Sequence, residues 1–482
     1  MIFFFINFIL AFFLFNLFFL IFIPNVLRLV FYYIFNFFFI LIFFLNIFYN
    51  KSVYWYSYMI TYYKQLFFNI DFTWGFDILS LNLILLCAFL LLFCYLSYWN
   101  LKYRSVYYFF LLNFSLWILI NVFSSLDFFN FFIFFELIVI PMFLLIGIWG
   151  SRNRKITASY QLFIYTLFGS IFVFITIFDI LLNKGNLSFD FFLNSYFIEK
   201  RQFIIWVLLF LGFSVKIPVV PLHLWLPEAH VEAPTPGSVI LAGILLKLGS
   251  YAVLRFLLGT FSLICYDLIF IVLVIALFSL THSSIVALCQ IDIKKVIAYS
   301  SVAHMNYSLI GLFSQSILGL AGAYCMIFSH AIVSSALFLG IGVLYDRYRT
   351  RLIFYYGGLA TLMPIFSIIY FVFILSNFGF PGTFNFIGEF LLTYGALTFS
   401  FIITLLTTFS LILSLMYSLF LYNRVFFGTI KIFFIRFFND ITRLEFIFLF
   451  IFLFIVLFFG IFPMFIFENV YMYSFKLKFL IV

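Results

Sequence analysis

Apolar runs of about 20 residues follow one another along the whole chain, separated by short polar or charged connectors. A run of that length spans a bilayer as a helix. The pattern predicts about fourteen spans, at 2–23, 26–49, 75–98, 106–123, 126–149, 158–182, 203–222, 238–257, 263–281, 292–313, 318–344, 358–399 (interrupted), 401–423 and 445–467. Trp74 and Trp99 bracket the third run and Trp149 ends the fifth, as interfacial tryptophans do. Residues 50–73 mix aromatic and polar side chains and predict a segment lying on the membrane surface. The fold class is all-α: a polytopic membrane protein.

Two runs carry conspicuous breaks. In the seventh, Pro218 and Pro221 follow Lys216 almost at once, so the helix bearing that lysine must kink or stop just after it. In the twelfth, Gly379, Pro381 and Gly382 precede Glu389. Each break lies in the fourth helix of a set of five, spans four to eight and nine to thirteen. Five-helix units start on opposite sides of the membrane, so the two sets read as inverted repeats. The expected division is 1–105 (three spans and the surface segment), 106–257 (first repeat), 258–423 (second repeat) and 424–482 (a loop and the last span).

Six ionisable residues fall far from any connector. At 1.5 Å per helical residue, Glu136 and Lys247 lie about 14 Å into their spans, Glu389 about 16 Å, His304 and His330 about 18 Å, and Lys216 about 20 Å. A hydrocarbon core about 30 Å thick puts all six near its middle. Charged groups at that depth are costly and usually mark ion or proton pathways. Burial disfavours a charged lysine, while a carboxylate 4 Å away at an effective dielectric near 20 returns about 4 kcal/mol. Making or breaking a Glu–Lys contact can therefore switch the lysine. The plainer alternatives are a snorkelling lysine, a structural salt bridge, and histidines that only join helices by hydrogen bonds. His223, Glu228, His230 and Glu232 sit in the loop after the broken seventh helix, where a structural role and a proton-uptake or release role are both open.

Composition sharpens this picture. The chain is 67% hydrophobic and only 9% charged, which excludes a soluble domain of any size. Its net charge of +9 does not point to nucleic acid, because the basic residues sit in short loops. Loops after odd-numbered spans hold fifteen Lys and Arg, including Arg347, Arg349 and Arg351, against eight on the other side. Odd loops should face the cytoplasm or matrix, and both termini the opposite side. The 85 Phe fit an AT-rich genome. The five cysteines form no CxxC pair and no metal-ligand spacing, and no dinucleotide or phosphate-binding fingerprint is present, so no cofactor or metal is expected on this chain. The start, MIFFFINFILAFF, reads as neither a signal nor a transit peptide.

VKIPVVPLHLWLPEAHVEAPTPGS followed by VILAGILLKLGSYAVLRF closely resembles the core of the antiporter-like subunits of respiratory complex I. So do FFELIVIPMFLLIGIWG, IDIKKVIAYSSVAHMN, SHAIVSSALFLGIGVLYDR and GFPGTFNFIGEF. The resemblance runs from Phe72 to Pro463, is most specific between Leu211 and Arg347, and leaves residues 1–70 poorly matched. It implies fourteen helices in two inverted repeats, each a proton half-channel, with helices 7 and 12 broken. It places Glu136 as the fifth-helix glutamate, Lys216 as its partner on the seventh, and Lys247 on the eighth. His304 and His330 become the histidines bridging the halves, and Glu389 the charge on the twelfth. The glutamate at 389 indicates a branch distinct from subunits 2 and 5, which usually carry lysine there. Those two subunits, membrane lipids and protons are the implied partners. NADH, FMN, iron–sulfur clusters and ubiquinone would belong to other subunits of a complex in the mitochondrial inner membrane. Three functions stand open: a proton-translocating subunit of that redox enzyme, a cation/proton antiporter subunit of the related bacterial family, and a structural membrane-arm subunit.

Overall fold

The computed structural model describes residues 58–61, 73–97, 104–194, 198–431 and 439–464. The predicted spans 2–23 and 26–49 lie outside these residues, as does most of 50–73. The chain divides into two compact units, Met1–Gly212 and Phe213–Val482, which are described in turn.

In the first unit, β1 (Tyr58–Thr61) pairs antiparallel with β2 (Thr73–Phe76), Tyr58 opposite Phe76. Part of the expected surface segment is thus a short ladder; its Tyr, Ile and Thr residues suit a strand. Helices α1 (Ile78–Ser97) and α2 (Ser105–Ser124) follow as the pattern predicts. The predicted span 126–149 is interrupted: α3 (Phe128–Leu137) and α4 (Val139–Trp149) meet at Ile138. The cause is Pro141, which has no N–H and whose ring crowds the carbonyl four residues back, at Leu137. The strain shows in the stretched 3.4 Å bond from Ile138 N–H to the Phe134 carbonyl. Next come α5 (Lys155–Lys184), the short α6 (Phe189–Asn194) and α7 (Glu199–Lys216), which crosses into the second unit. Along α5 the buried line includes Leu162, Thr166 and Val173, while Ile164, Phe168, Ile171 and Phe178 face out. Apolar residues outside and small polar ones inside are what a lipid solvent asks of a helix.

In the second unit, α7 stops at Lys216, where the proline pair predicts. The carbonyls freed there are recovered by side chains: Trp225 Nε1 donates to the Val215 oxygen and Asn306 Nδ2 to that of Pro218, both at 3.0 Å. Such repair is required of irregular backbone at membrane depth. After α8 (Trp225–Glu232) comes α9 (Thr235–Leu258), wholly buried, with wide π turns at Leu241–Leu245 and Val253–Leu258 on either side of Lys247. The unit continues through α10 (Ser262–Cys289), α11 (Ile293–Leu312) and α12 (Ile317–Tyr348), which is buried from Gly319 to Leu344. The interrupted twelfth run becomes α13 (Pro364–Asn377) and α14 (Phe384–Phe399), with left-handed Gly379 and Gly382 in the turn between. Helices α15 (Phe401–Phe426) and α16 (Arg443–Ile461) complete it.

Among the described residues, nine helices are long and apolar enough to cross a membrane. The runs at 203–222, 292–313 and 358–399 are not among them, for clear reasons. Helix α7 carries Glu199, Lys200, Arg201 and Lys216; α11 is rich in Ser, Asn, His and Lys; and the third run is split by its glycine turn.

The arginine run at 347–351 does more than set topology. Arg347 grips Glu445 with both terminal nitrogens, at 2.9 and 2.6 Å, tying the end of α12 to the capped start of α16. Arg351 is buried and stands 3.9 Å from Glu232.

Candidate functional site

Four of the six sequence-selected residues form one line in the second unit. Lys247 lies mid-helix in α9 and is fully buried. Its Nζ donates to the Ala242 carbonyl at 2.6 Å and stands 2.7 Å from His330 Nδ1 on α12. Ala242 lies five residues before Lys247, in the first π turn. A widened turn turns a carbonyl out of the regular ladder, and here the lysine takes it; π turns are often found at functional sites for such reasons. Among the described residues, no carboxylate pairs with Lys247.

From His330 the line continues to His304 on α11, ring centres 5.4 Å apart and planes at 47°. His304 Nδ1 in turn faces Glu389 Oε1 on α14 at 3.7 Å. His330, His304 and Glu389 are all at least 96% buried. Glu389 is fixed from two sides. Tyr307 donates from its hydroxyl to the Glu389 backbone carbonyl at 3.1 Å, and the carboxylate packs directly on Gly379. Gly379 combines φ +69° with a position where any Cβ would overlap that carboxylate. The break before α14 thus brings a side-chain-free residue against the acid.

Lys216 is the last residue of α7, buried, at the broken turn. The α9 backbone passes close to it: a Cβ on Gly249 would lie 2.8 Å from the Ile217 nitrogen and 3.1 Å from the Lys216 carbonyl carbon. Only glycine permits this approach, two residues beyond Lys247. Glu136 sits half-buried near the end of α3, next to the interruption at Ile138. It belongs to the first unit and Lys216 to the second, so each is described with its own surroundings.

Sequence reasoning missed several contributors. The π turns around Lys247 have no sequence mark. Pro141 follows Glu136 by five residues, the spacing of Pro221 from Lys216, and this parallel was the available signal for the break at Ile138. Asn306 and Tyr307, just after His304, were legible only as extra polarity in a buried helix. Of the loop residues left open, His223 and His230 are both buried, and Glu228 forms a 2.7 Å ion pair with Lys295.

A chain of Lys, His, His and Glu in near contact, sealed from solvent, can pass a proton by small rearrangements and has no other evident chemistry. Among the described residues, no three His, Cys, Asp or Glu side chains cluster as metal ligands. The sequence profile of the family described as "NADH:quinone oxidoreductase/Mrp antiporter, TM" matches residues 125–416. NADH-ubiquinone oxidoreductase chain 4 of Marchantia polymorpha is 46% identical over 82% of this chain and 80% of its own length. The chain 4 of Arabidopsis thaliana is 47% identical over 79% and 77%. Among solved structures, a chain of respiratory complex I from Thermus thermophilus with bound NADH superposes with a TM-score of 0.87 at 25% identity, covering 98% of this chain and 99% of that one. A chain of the Mrp complex from Dietzia sp. gives 0.78 at 18% identity and 87% of each chain, a likeness of fold alone. By the matched profile and these relatives, the chain belongs to the NADH:quinone oxidoreductase/Mrp antiporter transmembrane family.

Proposed function

We propose that this chain is the chain 4-type, proton-translocating membrane subunit of an NADH:ubiquinone oxidoreductase. The observation that carries the reading is the continuous buried line Lys247–His330–His304–Glu389. Protonated Lys247 donates to the Ala242 carbonyl and to Nδ1 of a neutral His330. Transfer along the 2.7 Å contact leaves lysine neutral and His330 charged. The imidazolium then lies beside His304, which faces the Glu389 carboxylate as the terminal acceptor. Two like charges about 4 Å apart at an effective dielectric near 20 oppose each other by about 4 kcal/mol, so one proton displaces the next. A charge change arriving from elsewhere in the complex can drive the line in steps.

Glu136 and Lys216 act in the same translocation path, in keeping with the resemblance of their surrounding motifs. The chain sits as a multi-pass protein in the mitochondrial inner membrane, with both termini on the intermembrane-space side, as its basic loops favour. It is encoded in the mitochondrial genome. Antiporter-like subunits 2 and 5 and membrane lipids are its neighbours. It binds no redox cofactor: NADH, FMN, iron–sulfur clusters and ubiquinone belong to other subunits. A free-standing antiporter subunit shares the family profile and the fold, while the relatives at 46–47% identity are chain 4 of the oxidoreductase.

Glu389→Gln in the assembled complex is expected to lower ubiquinone reduction several-fold while NADH oxidation by an artificial acceptor stays normal. Unchanged ubiquinone reduction with full proton output would refute the assignment. Stoichiometric flavin or iron–sulfur absorption from the isolated chain would refute the absence of redox cofactors.

A further inference from the structure

His230, on α8, is fully buried, and neither ring nitrogen has a hydrogen-bond partner among the described residues. Its ring lies flat on Phe338 of α12, centres 4.9 Å apart and planes within 3°. Phe338 is eight residues beyond His330, so the imidazole sits about 12 Å along α12 from the line, towards the Arg347–Arg351 end. Lys294 and Lys247 both lie within electrostatic range of it.

A second buried charge cluster stands at that end. Glu232 is two residues from His230, with Oε1 3.9 Å from Arg351 Nη2 and Oε2 without a hydrogen-bond partner among the described residues. Lys294, also buried, donates to the Ala233 carbonyl at 2.8 Å and has Glu232, Arg351 and Asp346 as charged neighbours. Lys294 precedes His304 by ten residues of α11, about 15 Å. The cluster and the line are therefore at different levels, with His230 between them. Outside the cluster, the Lys295–Glu228 pair is part exposed. Burying an imidazole with two unsatisfied nitrogens is costly unless water completes its bonds. A ring held by stacking alone keeps both nitrogens available to water on either side.

We propose that His230 is a relay for proton uptake, linking the Glu232–Arg351–Lys294 cluster at the basic-loop side to Lys247 and His330 through chains of water. The proposal rests on the proton-translocating reading above. Glu232 receives the proton from the aqueous side, where Arg351 and Lys294 hold its carboxylate ready. His230 takes it on one ring nitrogen and releases it from the other towards Lys247, which the line has left neutral. One proton enters and one leaves, and no bond other than N–H and O–H changes.

The test is His230→Phe in the assembled, membrane-reconstituted complex, alongside Lys247→Met. Phenylalanine keeps the stack on Phe338 and removes the nitrogens. Ubiquinone reduction should fall several-fold with artificial-acceptor activity unchanged. The solvent deuterium isotope effect on turnover should rise, because uptake becomes rate-limiting; a packing defect alone would not raise it. Glu232→Gln should produce the same isotope signature, and it serves as the test if His230→Phe fails to assemble. Normal turnover and proton output in His230→Phe or Glu232→Gln, with Lys247→Met impaired, would overturn the relay and leave the line standing. A slow variant with an unchanged isotope effect would also overturn it. Normal output in Lys247→Met would overturn the underlying reading instead.

Discussion

Lys247 Nζ and His330 Nδ1 stand 2.7 Å apart, each in the buried middle of its helix. The contact admits one proton between two basic groups, either as ammonium donating to neutral imidazole or as imidazolium donating to neutral amine. No carboxylate among the described residues pairs with the lysine, so nothing there fixes its charge permanently. This is the geometry of a transfer step more than of a structural tie, for which a Glu–Lys pair would hold better.

If the two act as one step, their losses will not add. Lys247→Met and His330→Phe should each lower ubiquinone reduction several-fold, and the double variant should be little worse than the poorer single. Multiplying losses, measured as turnover in assembled complexes, would assign the residues to separate tasks.

The turn before α14 offers a controlled comparison. Gly379→Ala and Gly382→Ala both force alanine into a left-handed conformation, at about 1–3 kcal/mol each. Only the Cβ at 379 meets Glu389; that at 382 meets nothing within 4 Å. Proton output should therefore drop far more in Gly379→Ala, at a similar loss of thermal stability. Equal effects on output would mean that the carboxylate does not need its place against residue 379.

Asn306 supports the break after Lys216 by donating to the Pro218 carbonyl. Asn306→Leu leaves that carbonyl unpaired and should cost about 1–3 kcal/mol, read as a lower unfolding midpoint of the complex. An unchanged midpoint would show that the turn is held by other means.

Arg347 and Glu445 make a two-pronged charge-assisted pair, part-buried on both sides. Arg347→Leu should weaken assembly or lower the unfolding midpoint without altering protons moved per electron. A changed ratio would bring this end of α12 into the proton path.

The sequence was most informative where chemistry and hydropathy conflict. Lys216 beside two prolines and Glu389 beside a glycine turn located both broken helices, and the depth of the six ionisable groups singled them out. Depth is one coordinate, however. It could not tell that Lys247 meets His330, because that depends on how α9 and α12 are rotated about their axes. The π turns that free the Ala242 carbonyl leave no trace in periodicity. Pro141 leaves hydropathy unbroken, and prolines are tolerated within membrane helices, so the hydropathy of the run at 126–149 carries no sign of the interruption at Ile138. Arg351 looked like a loop charge until the fold buried it against Glu232.

Proton carriage by Lys247 is the step on which the whole line depends. The most direct measurement is proton output per electron, with ubiquinone reduction followed at the same time, in proteoliposomes of the Lys247→Met complex. Assembly is checked by NADH oxidation with an artificial acceptor. The expected result is intact acceptor activity with ubiquinone reduction and proton output both several-fold down. Full output at the wild-type ratio, with methionine in the place of the lysine, would contradict the account.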